Sequence, residues 1–472
     1  MRILERLVTR LGAGAALLLL AACTHERPLP VAGCAFEAIP LHVGTVHPRG
    51  FDSPFQTGLR TALAPGARAQ DVLVLSGGSQ HGLFGTGFFL GLADRASIER
   101  AAAQAEKRQP DPARLIPTYQ VVTGVSTGSL QATLLFLANQ EEPTDRTYPA
   151  DAGFHPEALP QRQSNITDLA IASSISREAS LLKVGGGGLV GALRRGAVGS
   201  LDPLRQRVIG LISKRTIELV AAEHGKGRQL YAGVVDGDSG EAYAVDLGEL
   251  ASRYTSGKWG ADYLGLRQCY ADALIASSSV PLAAFPVTLD FHDSTTTPGT
   301  TRQHVFMDGG ARYGVFLEQL HALADGPGVA PINVTLIVNG ELYSGSWQEK
   351  DGTPVRKWSA LSWGKRAIDM LENQSYRASV DAAERYALAH GALHMAFISN
   401  EKIAPDTPDS AGLPPGKYPF DNKSCDDWAA VDNQTQAPQE FHPRYMLCLM
   451  NYGRARGRLA VFNYEFPDRS GS

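Results

Sequence analysis

Several things are missing from this chain of 472 residues, and each absence closes off a class of function. Its 44 Lys and Arg are outnumbered by 48 Asp and Glu, for a net charge of −4. No basic footprint for a nucleic acid therefore exists, and the acidity is too slight for a disordered chain. After residue 22 no apolar run approaches the roughly 18 residues of a membrane-spanning helix. There is no HExxH, no CxxC and no cluster of His and Cys at ligand spacing, so no metal site is expected. No internal repeat is found. The 12 histidines are scattered, and none sits in a motif that marks a catalytic base.

What is present starts at the N-terminus. Arg2, Arg6 and Arg10 precede an unbroken apolar stretch, Leu11 to Ala22, followed by Cys23. A positive start, a short apolar core and small residues before a cut are the plan of a secretory signal, too short to span a bilayer afterwards. Leu20-Ala21-Ala22-Cys23 resembles the lipobox of bacterial lipoproteins, which implies a signal peptide over 1–22 and acylation of Cys23. Thr24 after the cysteine favours the outer membrane, so the expectation is a cell-envelope lipoprotein facing the periplasm or the exterior, anchored through its N-terminal lipid. Four cysteines then remain outside the cytosol, Cys34, Cys269, Cys425 and Cys448, with three full connectivities open to them. Cys425, in a polar loop, and Cys448, in an apolar helix close by in sequence, are the favoured pair.

Residues 23–70 are proline-rich with little periodicity and read as a tether and surface wrap. From Asp71 apolar runs alternate with helical patterns. Val72–Leu75, Tyr119–Val125, Leu230–Val235, His304–Met307 and Val334–Val338 read as strands. Ser97–Arg108, Ser129–Leu137, Ile368–Ala389 and Pro443–Tyr452 read as helices. Strands apolar on both faces, separated by helices, predict an α/β fold: a three-layer sandwich with a mostly parallel central sheet. Asp290–Gln303 reads as a surface loop, Ile403–Glu440 as a polar, Pro-rich insertion, and 461–472 as a tail. Ile166–Arg194 reads as a helix and flexible loop, with a mobile lid contacting lipid as the sharper hypothesis.

Two motifs follow strands. "SGGSQHGLFGTG", Ser76 to Gly87, has five glycines in twelve residues. It is no P-loop, because Leu83 stands where the lysine belongs, and it breaks the dinucleotide fingerprint at Leu90; no cofactor is implied. Backbone N–H groups aimed at a developing oxyanion are the remaining chemical use for such a loop. "GVSTG", Gly124 to Gly128, lies between an apolar strand and a helix, which is the setting of a nucleophile elbow with Ser126 at its tip. A third segment, "HVFMDGGARYG", ends a strand in Asp308 with two glycines clearing space beside it. Partial burial would raise the pKa of such an aspartate and make it a better base.

In this order the three segments resemble the patatin-like phospholipase family, whose pattern is a GGGxRGxxxxG loop, a GxSxG serine and a DG[GA] aspartate. "IASSSVPLAAFPV" (Ile275–Val287), "VVDGDSGEAYAV" and "FHPRYMLCLMNYG" resemble further family blocks, so the likeness runs from about Asp71 to about Gly453 within a catalytic domain placed at 71–460. The resemblance implies a Ser–Asp dyad without histidine: Ser126 as nucleophile, Asp308 as base and an oxyanion hole from Gly77, Gly78, Ser79 and Gln80. It implies hydrolysis of fatty-acyl esters through an acyl-enzyme, with membrane lipid as substrate. Two positions depart from the pattern: Ser79 replaces the third glycine and His81 replaces the usual arginine. A serine keeps the N–H provided the backbone does not need positive φ there.

Three alternatives stay open. An α/β-hydrolase esterase would use a Ser–Asp–His triad with His321, His390 or His394. A non-catalytic lipid-binding or assembly lipoprotein would keep the fold alone. An acyltransferase would share the acyl-enzyme and differ in the acceptor.

Overall fold

The structure is a computed structural model. It describes residues 27, 35–41, 54–64, 69–151, 164–186, 196–257, 263–293, 301–317, 331–340, 342, 355–358, 360–398 and 423–466. The expected signal peptide with Cys23, the candidate His321 and the tail beyond 466 lie outside these residues.

The strands in chain order are β1 (Ala35–Pro40), β2 (Gln70–Leu75), β3 (Val121–Val125), β4 (Lys183–Val184), β5 (Gly199–Ser200), β6 (Gln229–Asp236), β7 (Ala242–Asp246), β8 (Val287–Asp293), β9 (Thr301–Asp308), β10 (Ile332–Val338), β11 (Gly391–Phe397) and β12 (Tyr464–Phe466). The helices are α1 (Pro54–Ala62), α2 (Leu83–Ala105), α3 (Thr127–Phe136), α4 (Asn165–Ser173), α5 (Asp202–Leu211), α6 (Lys214–Gly225), α7 (Leu247–Thr255), α8 (Tyr263–Ser277), α9 (Ala360–His390), α10 (Cys425–Thr435) and α11 (Pro443–Leu459).

Ten strands make one sheet in the order β12-β11-β10-β2-β3-β6-β7-β1-β8-β9. Its centre, β11-β10-β2-β3-β6, is parallel throughout. Helices cover both faces, as a parallel sheet requires. The alternation along β2 shows why its sequence is apolar without a break. Leu73 and Leu75 point into a core shared with Phe84 and Phe88 of α2, Leu134 of α3 and Met450 of α11. Val72 and Val74 point into the opposite core, with Leu59 of α1 and Val380 and Ala387 of α9. This is a three-layer α/β architecture with a large, mostly parallel central sheet.

The sheet reaches further than its sequence signals did. Part of the stretch read as a tether forms β1, which lies between β7 and β8 with Phe36 and Ile39 buried; six residues flanked by prolines carry too little periodicity to betray a strand. The segment read as the loop 290–303 is strand at both ends, since β8 runs to Asp293 and β9 starts at Thr301. β12, in the segment read as a tail, pairs with β11. Within the expected insertion, α10 is started by a capping box in which Ser424 and Asp427 satisfy each other's backbone. It is tied to α11 by the Cys425–Cys448 disulfide, with 5.4 Å between Cα atoms. Cys269 is disulfide-bonded as well.

α2 and α11 pack through glycines. A Cβ on Gly87 or Gly91 would lie 1.9 or 2.1 Å from the carbonyl oxygens of Met450 and Arg454. One on Gly453 or Gly457 would lie 2.1 or 1.9 Å from those of Phe84 and Phe88. Gly87 thus belongs to a helix contact rather than to the preceding loop. Gly457→Ala forces the two backbones apart and is expected to cost about 3 kcal/mol, read as a lower denaturant midpoint. An unchanged midpoint would show that the helices separate freely.

Candidate active site

The parallel strands end at one edge, and there the chain turns sharply between β3 and α3. Ser126 alone makes the turn, at φ 52° and ψ −124°, a conformation that non-glycine residues rarely hold. Its neighbouring glycines are needed for space. A Cβ on Gly124 would sit 2.4 Å from the Gly128 carbonyl oxygen, and one on Gly128 would sit 2.4 Å from that of Leu75. The strained turn is held by Ser277, whose hydroxyl accepts the Ser126 N–H at 3.0 Å and donates to the Gly233 carbonyl at 2.6 Å. The Ser129 hydroxyl donates to the Ser126 carbonyl at 2.7 Å. The N-terminus of α3 points its partial positive charge at the same spot.

Asp308 arrives from β9. β3 occupies one edge of β6 up to the pair Val125–Gly233, and β9 takes over with the pair Val234–Asp308. Two strands meeting end to end therefore deliver Ser126 and Asp308 to each other. The Asp308 N–H donates to the Ser279 carbonyl at 3.0 Å, so the helix end that pins the serine pins the aspartate too. One carboxylate oxygen, Oδ1, accepts the Gly310 N–H at 2.7 Å. The other oxygen, Oδ2, is buried and makes no hydrogen bond among the described residues. Burial pushes the carboxyl up to about 7, against the opposing pull of the Ser126 hydroxyl and the Gly310 N–H. Tyr376 of α9 lies behind, its phenol pushed up by burial and by the charge of Asp308.

The glycine loop faces this pair. Gly77 donates its N–H to the Gly314 carbonyl at 3.3 Å, so this member of the expected oxyanion hole is already engaged in holding the loop. The N–H groups of Gly78, Ser79 and Gln80 have no hydrogen-bond partner among the described residues. Gly78 has φ 148° and Ser79 has φ 49°, so the backbone does need positive φ at the serine. Side chains hold it there. The Ser79 hydroxyl donates to Glu440 at 2.7 Å, its carbonyl accepts the Thr127 hydroxyl at 2.9 Å, and Gln80 Oε1 accepts the His442 N–H at 3.1 Å. His81 turns back on the loop, with its N–H and Nδ1 on the Gly78 carbonyl at 2.9 and 3.1 Å.

Asn339, which sequence reasoning passed over, joins these parts. Buried just past β10, it accepts the Gly85 N–H at 3.0 Å and donates to the Ser76 carbonyl at 2.9 Å and to Gln131 at 3.1 Å. An Asn-Gly after an apolar strand signals only a turn, so nothing in the sequence marked it. Ser277 had only its place in a resembling block.

A cleft of about 820 Å³, its open mouth included, runs from Ser79 and Ser126 between α2, α3, α4 and α5. Leu83, Leu130, Leu169, Leu181, Leu204 and Leu211 make its walls apolar. Arg207 also lines it, but its guanidinium is taken up by the carbonyls of Ala172, Ser174 and Ser180 and by Asp151. α4, expected within a mobile lid, is buried along its length apart from its last residue and lines the cleft; 187–194 lie outside the described residues. Neither described candidate for a triad histidine reaches Ser126. His390 bonds the Tyr386 carbonyl just before β11 begins, at the opposite end of the parallel strands, and His394 of β11 faces Glu465 of β12. Asp236, Asp238 and His304 do converge within 4.8 Å, a cluster with no sequence spacing to announce it. Their carboxylates already meet Arg27, Ser239 and backbone N–H groups.

A buried carboxyl raised to about 7 binds its proton more tightly in the folded chain. The stability that proton contributes is present below pH 4 and is lost as pH rises through 7. Asp308→Asn, which carries no charge, should therefore exceed wild type in Tm at pH 8 and approach it at pH 5. A gap that is constant with pH would mean that the carboxylate is ionised at ordinary values.

No protein-family model matches the chain, and no curated protein matches it. Among solved structures, VipD from Legionella pneumophila is similar at 12% identity over 94% of this chain and 72% of that one, with a TM-score of 0.25.

Proposed function

We propose that the chain is a lipid acyl hydrolase of the patatin-like kind, cleaving fatty-acyl esters with a Ser126–Asp308 dyad. The observation that carries this reading is the end-to-end meeting of β3 and β9 on β6, which sets a strained serine beside a buried carboxyl with a pKa near 7. Ionised Asp308 takes the proton of Ser126 as Oγ attacks the ester carbonyl. The oxyanion is met by the N–H groups of Gly78, Ser79 and Gln80, aided by the N-terminus of α3. Collapse expels the alcohol, which receives the proton from Asp308. Water, deprotonated by the same carboxylate, then attacks the acyl carbon and releases the fatty acid, and Asp308 returns the proton to the departing Ser126 Oγ. The leucine-lined cleft supplies an apolar berth for the acyl chain. Acylation of Cys23 would hold the domain at the envelope membrane, close to lipid substrate.

The test is turnover of soluble aryl esters and of phospholipid. Ser126→Ala and Asp308→Asn should each lower kcat/KM by about 10⁴-fold, as losses within a nucleophile–base unit do. His390→Ala with His394→Ala should leave it within about threefold. Because the base must be ionised, log kcat/KM should rise with unit slope below pH 7 and level off above it. An equally inactive histidine variant that remains folded would favour a triad instead. A wild type inert on every ester would favour a binding protein.

A further inference from the structure

The long helix α9 is more than a support for Asp308. From Tyr376 to His390 it lies along the sheet, burying Val380, Ala383 and Ala387. Tyr376 sits at the carboxyl edge, where its ring would touch a Cβ on Gly77, Gly310, Gly314 or Gly340. The remaining residues, 360–375, continue the helix for roughly 24 Å at 1.5 Å per residue, with the Ser375 hydroxyl still bonded to the Arg312 carbonyl.

This projecting part is unusual in what it shows to solvent. Trp358 is 65% exposed and Leu371 71%, and Trp363, Ile368 and Met370 are exposed as well. The Trp358 and Trp363 rings lie together, 5.7 Å between centroids. Val184, Leu282 and Phe285 are exposed too, the last two close in sequence to Ser278 and Val280, which line the cleft. The sequence here opposes the charge of the whole chain: between 356 and 375 stand Arg356, Lys357, Lys365 and Arg366 against Asp369 and Glu372, in a protein of net charge −4. Paired tryptophans, bulky aliphatics and flanking cations are the composition of an element that lies in a lipid interface. Cations gathered there complement an anionic headgroup layer.

We propose that Trp358, Trp363 and the exposed face of the first half of α9 form an interfacial docking surface for an anionic lipid bilayer. Any acyl anchor at Cys23 would act separately, holding the chain near the membrane without orienting it. The surface does not depend on the Ser126 chemistry, and its test is kept apart from it.

The experiment uses the full chain carrying Ser126→Ala, so that no lipid is consumed. Tryptophan emission is measured with vesicles of brominated phosphatidylcholine, with and without phosphatidylglycerol. Emission should be quenched on the anionic vesicles and much less on the neutral ones. Trp358→Phe with Trp363→Phe should remove most of the quenching. Arg356→Gln with Lys357→Gln should weaken binding to anionic vesicles by about 25-fold, roughly fivefold for each cation removed. In the chain with Ser126 intact, the same variants should keep soluble-ester turnover while losing turnover on vesicles. Absence of quenching, quenching that survives loss of both tryptophans, or equal quenching on neutral vesicles would each overturn the proposal.

Discussion

One edge of β6 is shared by two strands, and the site depends on that sharing. β3 runs parallel to β6 and leaves it after Gly233; β9 runs antiparallel and joins at Val234. A strand that ends beside its neighbour would ordinarily leave unpaired backbone groups at a buried place, which is costly. Here the second strand takes up the pairing one residue later. The two chains cannot pass through each other, so each must turn out of the sheet at the junction. β3 does so through Ser126 and β9 through the Asp308-Gly-Gly turn. The neighbourhood of hydroxyl and carboxylate is therefore a consequence of sheet pairing, before any side-chain interaction is considered.

The same junction sets the electrostatics. Because Asp308 belongs to an interior strand, it is almost wholly buried, and burial is the largest influence on its ionisation. A partner arginine would have returned the carboxyl to the ordinary acidic range and removed its value as a base. What surrounds it instead is neutral or weakly donating: the Ser126 hydroxyl, the Gly310 N–H and the phenol of Tyr376. Glu372 pushes the pKa in the same direction as burial. An ionised Asp308 is thus held at a cost in stability, a trade familiar at active sites.

Much of this was legible in the sequence, and what escaped notice has physical reasons. The double-sided apolar runs announced a covered parallel sheet, since only such strands need core residues at every position. Ser126 and Asp308 could be singled out because glycines crowd around them where backbones must pass closely. Two kinds of feature left no trace. Short strands such as β1 and β12 owe their state to a neighbour's free edge and not to their own pattern. Side chains such as Ser277 and Asn339 act on backbone groups far along the chain, and no local spacing encodes them. Gly77 shows the converse: it belongs to the glycine motif, yet its N–H is bound to Gly314.

The departures at Ser79 and His81 concern the same loop and bear on each other. A left-handed serine costs about 1 kcal/mol relative to glycine, so the conformation persists only if something beyond the backbone holds it. Its own hydroxyl does so through Glu440, and Thr127 holds its carbonyl from the helix that follows the nucleophile. His81 closes the turn from the other side by binding the Gly78 carbonyl. The loop that carries the N–H groups of Gly78, Ser79 and Gln80 is therefore held by glycine's freedom at Gly78 and by side-chain clamps at Ser79. Because one clamp, Thr127, follows Ser126 directly in the chain, the glycine loop and the Ser126 turn share a support.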